Sequence, residues 1–298
     1  MGSSLLTSRN VYFLIILCIV GFAFYLPLKE LIQLSMTYDA VYSHIVLVPL
    51  ISAYFMVTER KQIFSEPGTS SAGGIFLIIL GILFAVTGIL KDTTLNQNDY
   101  LSLMTFSAVI FLIGGFLIIY GKKTFQNAKF PLLFLFFMVP IPTFIVDEII
   151  ALLLKGSAHI AEAGFMISGI PFFREGPMFH LSNFKIHVAD ECSGIRSSLS
   201  LFIASIIAGH LFLKTSWRKI VLCLSVIPIA IMRNGLRIVM LSLLGNYVDA
   251  RILSSALHRK GGIPLFILSF AIMMIICWYL RKREGREILH NEVSIRQD

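Results

Sequence analysis

Long apolar runs recur along the chain, separated by short polar connections. A bilayer-spanning helix needs about 20 apolar residues, within a range of about 17–25. By that measure the pattern predicts about eight membrane spans, at 11–28, 41–57, 72–90, 101–120, 130–146, 197–213, 220–244 and 262–280. The pattern changes between the fifth and sixth spans. Residues 147–169 read as a helix with one polar stripe of Glu148, Lys155, His159 and Glu162, whose spacing keeps them on one face. Such a helix lies in the membrane interface or lines a polar cavity. A ninth span is the rival, disfavoured because a charged stripe in lipid is expensive. Met178-Phe179-His180-Leu181, a Ser182-Asn183 turn and the alternating Phe184-Lys185-Ile186-His187-Val188 then predict a small β-hairpin.

Charge sets the orientation. Arg9, Arg60, Lys61, Lys122, Lys123, Lys129, Lys214, Arg218, Lys219 and the Arg281–Arg286 stretch all fall on one side of an eight-span arrangement. Lysine and arginine in short loops mark the cytoplasmic side. Both termini are then cytoplasmic, and the 143–192 segment and the 245–261 loop face outward. The expected fold class is an all-α polytopic membrane protein of about eight transmembrane helices, with an extracytoplasmic amphipathic helix and a small β-hairpin. No internal repeat or low-complexity linker breaks the chain, so residues 1–283 form one transmembrane domain and 284–298 a short cytoplasmic tail. Composition agrees: 56% of the 298 residues are hydrophobic and 14% charged, against roughly 25% charged in soluble domains. The net charge of +8 is spread over short loops. That distribution suits membrane topology and not a nucleic-acid partner, which needs a contiguous basic face.

Against this apolar background a few residues need a chemical explanation. Cys18, Cys223 and Cys277 lie inside apolar runs, where a thiol behaves as a small hydrophobe. Cys192 alone sits in a polar stretch, Ala189-Asp190-Glu191-Cys192-Ser193-Gly194-Ile195-Arg196, at the start of the sixth span. A helix N-terminus stabilises a thiolate, and Arg196 one turn on adds positive charge, whereas Asp190 and Glu191 oppose it. A plain helix-start cysteine with a polar cap is the bland alternative. Arg233-Asn234-Gly235-Leu236-Arg237 falls inside the seventh span. An ionisable residue there is a functional-site hypothesis by default, against snorkelling of Arg237 to the headgroups. Arg233 is one turn deeper and is expected to pair with Glu191 or Asp190. His258 lies in the outer loop before the last span and is best placed to serve the cysteine. His44, His180 and His187 compete with it, and a merely solvated histidine is the bland alternative. A thiol, a guanidinium and an imidazole on one membrane face suit acyl transfer through a nucleophile, a proton shuttle and an oxyanion stabiliser. No zinc-type Cys/His spacing appears, and no metal or cofactor is expected.

These motifs resemble the exosortase/archaeosortase family of membrane transpeptidases. The resemblance rests on Asp190-Glu191-Cys192-Ser193-Gly194-Ile195-Arg196, on Asn234-Gly235-Leu236-Arg237-Ile238, and on His258 with Gly262. Phe134–Pro142 and Tyr42-Ser43-His44 before Val48-Pro49 add to it. A histidine at 258, where archaeosortases have arginine, points to the bacterial exosortase branch and hence to the bacterial inner (cytoplasmic) membrane. The resemblance implies catalytic Cys192, Arg237 and His258, supported by Glu191, Ser193, Gly194, Arg196, Arg233, Asn234 and His44. It implies substrates that are exported proteins carrying a C-terminal sorting signal of motif, apolar span and basic tail. Cleavage would run through a thioester on Cys192, with transfer to a surface acceptor such as a lipid- or sugar-linked amine. Arg237 and His258 have exchangeable roles at this level, since the arginine alternatively lowers the thiol pKa. The competing function is a transporter or lipid-binding protein that uses Arg233 and Arg237 for an anionic ligand. In that case Cys192 is dispensable.

Overall fold

The computed structural model describes residues 2–36, 41–66, 68–69, 71–91, 93–176, 178–181, 185–187, 193–247 and 262–295. Eleven helices are described: α1 (Gly2–Ala23), α2 (Tyr25–Met36), α3 (Leu47–Thr58), α4 (Arg60–Ile63), α5 (Ser71–Lys91), α6 (Gln97–Asn127), α7 (Lys129–Phe134), α8 (Thr143–Ser168), α9 (Ile195–Phe212), α10 (Ser216–Tyr247) and α11 (Gly262–Ile295). A 3₁₀ turn, Leu135–Met138, extends α7. Three short strands, β1 (Phe172–Glu175), β2 (Met178–Leu181) and β3 (Lys185–His187), form one antiparallel sheet in the order β1-β2-β3. This is the all-α polytopic membrane fold that the hydrophobic pattern predicts.

Among the described residues, five helices are long and apolar enough to cross a membrane: Ala72–Lys91, Gln97–Asn127, Ile195–Phe212, Ser216–Tyr247 and Gly262–Glu287. The number rises to seven if each of two broken helix pairs is one span. Three expected spans are not continuous helices. The first, 11–28, breaks at Phe24, and the halves bend by 75°. Pro27 has no N–H for the Ala23 carbonyl, and its ring would clash with that carbonyl in a straight helix. The second, 41–57, is helical only from Leu47, after a series of turns at 41–46. The fifth, 130–146, is interrupted at 139–142, where Pro140 and Pro142 stand.

The chain divides into two compact units, Met1–Val146 and Asp147–Asp298. In the first, α6 is the central helix, with about two thirds of its most apolar window buried (67%). Gly74, Gly81 and Gly88 recur every seven residues on α5 and bring the two backbones together. A Cβ on Gly74 would stand 2.7 Å from the Gly114 carbonyl, the close approach typical of small residues between membrane helices. The unit has two polar ends. At one, Tyr120 donates to Asn10, Lys123 pairs with Glu66, and Asn127 donates to the Gln62 carbonyl. At the other, Asp99 accepts from the Thr143 N–H at 2.7 Å and thereby caps α8, while Tyr42 and Asn98 both donate to the Ile141 carbonyl. Those last bonds satisfy the backbone freed at the proline break.

α8 begins at Thr143, four residues before the expected 147, and belongs to the second unit from Asp147 on. Its polar stripe is exposed at Glu148, Lys155 and His159, while Leu153, Ala158, Ala161 and Phe165 are buried. The expected hairpin is β2–β3, with Phe179 opposite Ile186. β1 is an additional strand, fastened to α8 by Arg174, which donates to Glu162 and lies over the Phe179 ring. Phe165, Phe172, Phe179, Ile238 and Val239 join α8, the sheet and α10 in one apolar cluster. Residues 284–298, read from sequence as a tail, continue α11 as far as Ile295. Glu284 is buried (4% exposed). It accepts from the Lys214 N–H at 3.0 Å and the Thr215 N–H at 2.6 Å, closing the α9–α10 connection onto α11.

Candidate active site

Four donors converge on one carbonyl at the candidate site, that of Gly194. Gly194 precedes α9 with φ +68°, in the left-handed region that favours glycine. Its carbonyl accepts the first helical N–H, from Ser198, at 2.9 Å, and the hydroxyls of Ser197 and Ser198, each at 2.9 Å. Arg233 Nη2 reaches it from α10 at 3.2 Å and lies at 3.2 Å from Ser198 Oγ. Ser193 is buried (1% exposed), and its Oγ accepts from the Ile195 N–H at 3.4 Å. An arginine on α10 thus fixes the start of the preceding helix, α9, one residue after the Cys192-Ser193 pair in the sequence.

Asn234 holds α10 in place from the other side. Its Nδ2 donates to Ser157 Oγ on α8 at 3.1 Å, and both side chains are buried. Gly235 makes this approach possible, because a Cβ there would stand 2.5 Å from the Ile160 Cβ. The packing is reciprocal. Ile231 and Val239 of α10 lie over Gly156 and Gly164 of α8, and Ile160 of α8 lies over Gly235. The Asn-Gly-Leu-Arg stretch is therefore a helix-packing device as well as a carrier of Arg237. Arg237 itself is half-buried one turn beyond Arg233, and Arg196 is exposed on the first turn of α9.

Cys192, Glu191 and His258 lie outside the described residues, as does Asp190. Among the described residues, Arg233 is paired with a carbonyl and a hydroxyl. His44 is half-buried in the turns before α3 and belongs to the first unit, with its ring 6.4 Å from that of Tyr42. His180 faces Glu175 at 3.4 Å across the sheet, and His159 faces Arg174 at 3.3 Å. Ser157 and Ser198 escape the sequence argument, although Ser193, Ser197 and Ser198 are a visible run of hydroxyls at a helix start. No cluster of metal-ligating side chains occurs among the described residues.

The family model for transmembrane exosortases matches residues 33–275. The chain belongs to the transmembrane exosortase family. No curated protein and no solved structure matches it. As an exosortase it is a multi-pass membrane protein and a membrane transpeptidase in the general sense. The match spans both helices that meet at Gly194 as well as positions 192, 237 and 258.

Proposed function

We propose that this exosortase cleaves a C-terminal sorting signal of exported proteins through a thioester on Cys192. The new C-terminus passes to an acceptor amine at the outer face of the cytoplasmic membrane of a bacterium. The observation that carries the proposal is the Arg233–Gly194 contact. It holds Gly194 at the mouth of α9, and Cys192 stands three residues before the first residue of that helix in the sequence, where a helix dipole favours a thiolate.

In this scheme the Cys192 thiolate attacks the scissile carbonyl, and Arg237 stabilises the oxyanion that forms. The C–N bond breaks as His258 gives its proton to the leaving amine, and the apolar tail peptide departs. His258 then takes a proton from the acceptor amine, which attacks the thioester. The C–S bond breaks and the thiolate is restored. With water as acceptor, the same steps release a carboxylate. Glu191, Ser193, Arg196 and Asn234 support the turn or the substrate, and His44 is the alternative imidazole.

The outward orientation is supported within each unit. In the first, the 10, 62–66 and 120–127 end is flanked by Arg9, Arg60, Lys61, Lys122 and Lys123. Among the described residues, the 42, 98–99 and 141–143 end lacks such a basic cluster. In the second, Lys214, Arg218 and Arg281–Arg283 cluster at the end of α9 remote from Gly194.

The test is co-expression with a tagged exported protein from the same genome that ends in a short motif, an apolar span and a basic tail. Cys192→Ala is expected to abolish processing while the protein still inserts. Wild-type chain trapped with substrate should carry a thioester released by neutral hydroxylamine. Unchanged processing by Cys192→Ala would overturn the proposal in favour of an anion-binding role for the arginines.

A further inference from the structure

At the end of α9 remote from Gly194, the charges are sorted by sign. α9 and α10 carry no carboxylate, and the first two of α11, Glu284 and Glu287, both face Arg218, at 3.5 Å and 2.6 Å. Arg218 is buried. The bases around them, Lys214, Arg281, Lys282, Arg283 and Arg286, are exposed and form no ion pair among the described residues. Aromatic rings accompany them. Lys282 lies over the Trp278 ring and Arg283 over the Tyr279 ring, each at 4.9 Å, and Arg281 reaches across to the Phe212 ring of α9 at 5.7 Å. These rings are exposed, as is Trp217 at the start of α10.

A solvated charged face would account for the bases and leave the rings unexplained. Depth accounts for both. From Gly262 to Trp278, α11 covers about 24 Å at 1.5 Å per residue, and the hydrocarbon core is roughly 30 Å thick. The rings therefore stand where lipid tails meet headgroups, the level at which Trp and Tyr collect. The bases one turn further along α11 reach the phosphates, with their stems along the apolar layer. Because Arg218 holds both carboxylates, that level presents a single sign of charge. A free anion would meet the bases and leave the rings bare. An acidic soluble partner would not reach rings set at the edge of the lipid tails. We infer that this belt, from Lys214 to the Arg281–Arg283 stretch, retains anionic phospholipids, whose phosphates lie against the bases and whose glycerol and upper tails lie against the rings. Attraction of Lys and Arg to an anionic lipid surface is the physical basis. The inference does not depend on the chemistry at Cys192.

The chain has two tryptophans, Trp217 and Trp278, and both stand in the belt, so their fluorescence reports the lipid beside it. The full chain is placed in equimolar bilayers of phosphatidylglycerol and phosphatidylcholine, with quenching bromine atoms on the tails of one lipid or the other. Wild type is expected to show phosphatidylglycerol enriched about threefold or more beside the rings. Arg281→Gln/Lys282→Gln/Arg283→Gln is expected to bring that ratio close to one. Arg60→Gln/Lys61→Gln/Lys122→Gln removes the same charge from exposed positions of the first unit and is expected to keep the wild-type ratio. If the α11 triple variant does not insert, Lys282→Gln alone is read and is expected to lower the ratio about 1.5-fold or more. Equal quenching of wild type by the two lipids overturns the inference and leaves the bases to an acidic soluble partner. An undiminished ratio in the α11 variant overturns it, and so does an equal fall in the first-unit variant, which would trace the preference to total charge. Loss of the preference when phosphate replaces chloride at equal ionic strength assigns the bases to a free anion and overturns the lipid assignment.

Discussion

Gly194→Ala puts the turn at the mouth of α9 under direct test. A left-handed backbone costs an L-residue roughly 1–2 kcal/mol, and Gly194 has φ +68°. The new Cβ would also stand 3.1 Å from Arg233 Nη2 and 3.3 Å from Asn234 Oδ1, so one of them must give way. If Arg233 withdraws, its bond to the Gly194 carbonyl goes too, and a hydrogen bond to a charged group contributes about 1.5–3 kcal/mol. The expected loss is therefore about 2.5–5 kcal/mol with Arg233 present and about 1–2 kcal/mol in an Arg233→Ala chain. The difference is a coupling energy of about 1.5–3 kcal/mol, within the range of residues that share one network. Equilibrium unfolding in mixed micelles measures it, with Trp217 and Trp278 as reporters. Equal losses in the two backgrounds would show that the guanidinium does not hold this turn. A loss below about 0.5 kcal/mol with Arg233 present would show that the left-handed turn itself is dispensable.

Two further substitutions probe the elements that carry the site. Gly235→Val should separate α10 from α8, since even a Cβ there would stand 2.5 Å from the Ile160 Cβ; the same unfolding assay should show a loss of about 1–3 kcal/mol or more, and Gly209→Ala, whose Cβ would have ordinary contacts at 3.6 Å, should be far milder. Glu284→Gln would put an amide donor among the Lys214 and Thr215 donors and remove the charge facing Arg218 at 3.5 Å; breaking a buried pair costs about 3–5 kcal/mol, read as early unfolding, and a neutral result would mean that the carboxylate is not required there.

Uninterrupted apolar stretches were legible because lipid demands them, and α5, α6, α9, α10 and α11 lie where the pattern predicts. The expected end of the fourth span at 120 even coincides with the kink at Gly121 (φ +82°). Breaks were harder to see. Hydropathy averages over Phe24 and over 139–142, whereas a single proline decides locally whether the backbone continues. β1 stayed hidden because Phe172 and Phe173 mask an alternation in which Phe173 and Glu175 are the exposed positions. At the site, the sequence marks Arg233 as a group that needs partners and offers Glu191 and Asp190, which lie outside the described residues. The partners described, a helix-start carbonyl with a serine beside it, are not visible in the sequence because they come together only when α9 and α10 pack. Ser157 was invisible for the same reason, since its role depends on α8 meeting Asn234.

The depth of the turn follows from two fixed points on α9 and leads to a prediction about its thiol. At one end the connection to α10 is held by Glu284, amid Lys214, Arg218 and Lys282. At the other, Gly194 is held by Arg233. The 18 residues of α9 between them span about 27 Å at 1.5 Å per residue, close to the roughly 30 Å of the hydrocarbon core. Gly194 and the basic cluster are thus expected at opposite surfaces of the membrane, with Cys192 two residues from Gly194 in the sequence. Cys192 in intact cells should react with a membrane-impermeant maleimide. A cysteine at exposed Lys214, in a Cys192→Ala chain, should react only after the membrane is opened. Cys277 is 2% exposed and Cys18 and Cys223 lie within apolar helices, out of reach of a charged aqueous reagent, so they should contribute little signal. Labelling of Cys192 only after permeabilisation would invert the topology and move the proposed chemistry to the cytoplasmic side, where exported proteins no longer present their C-terminal signals.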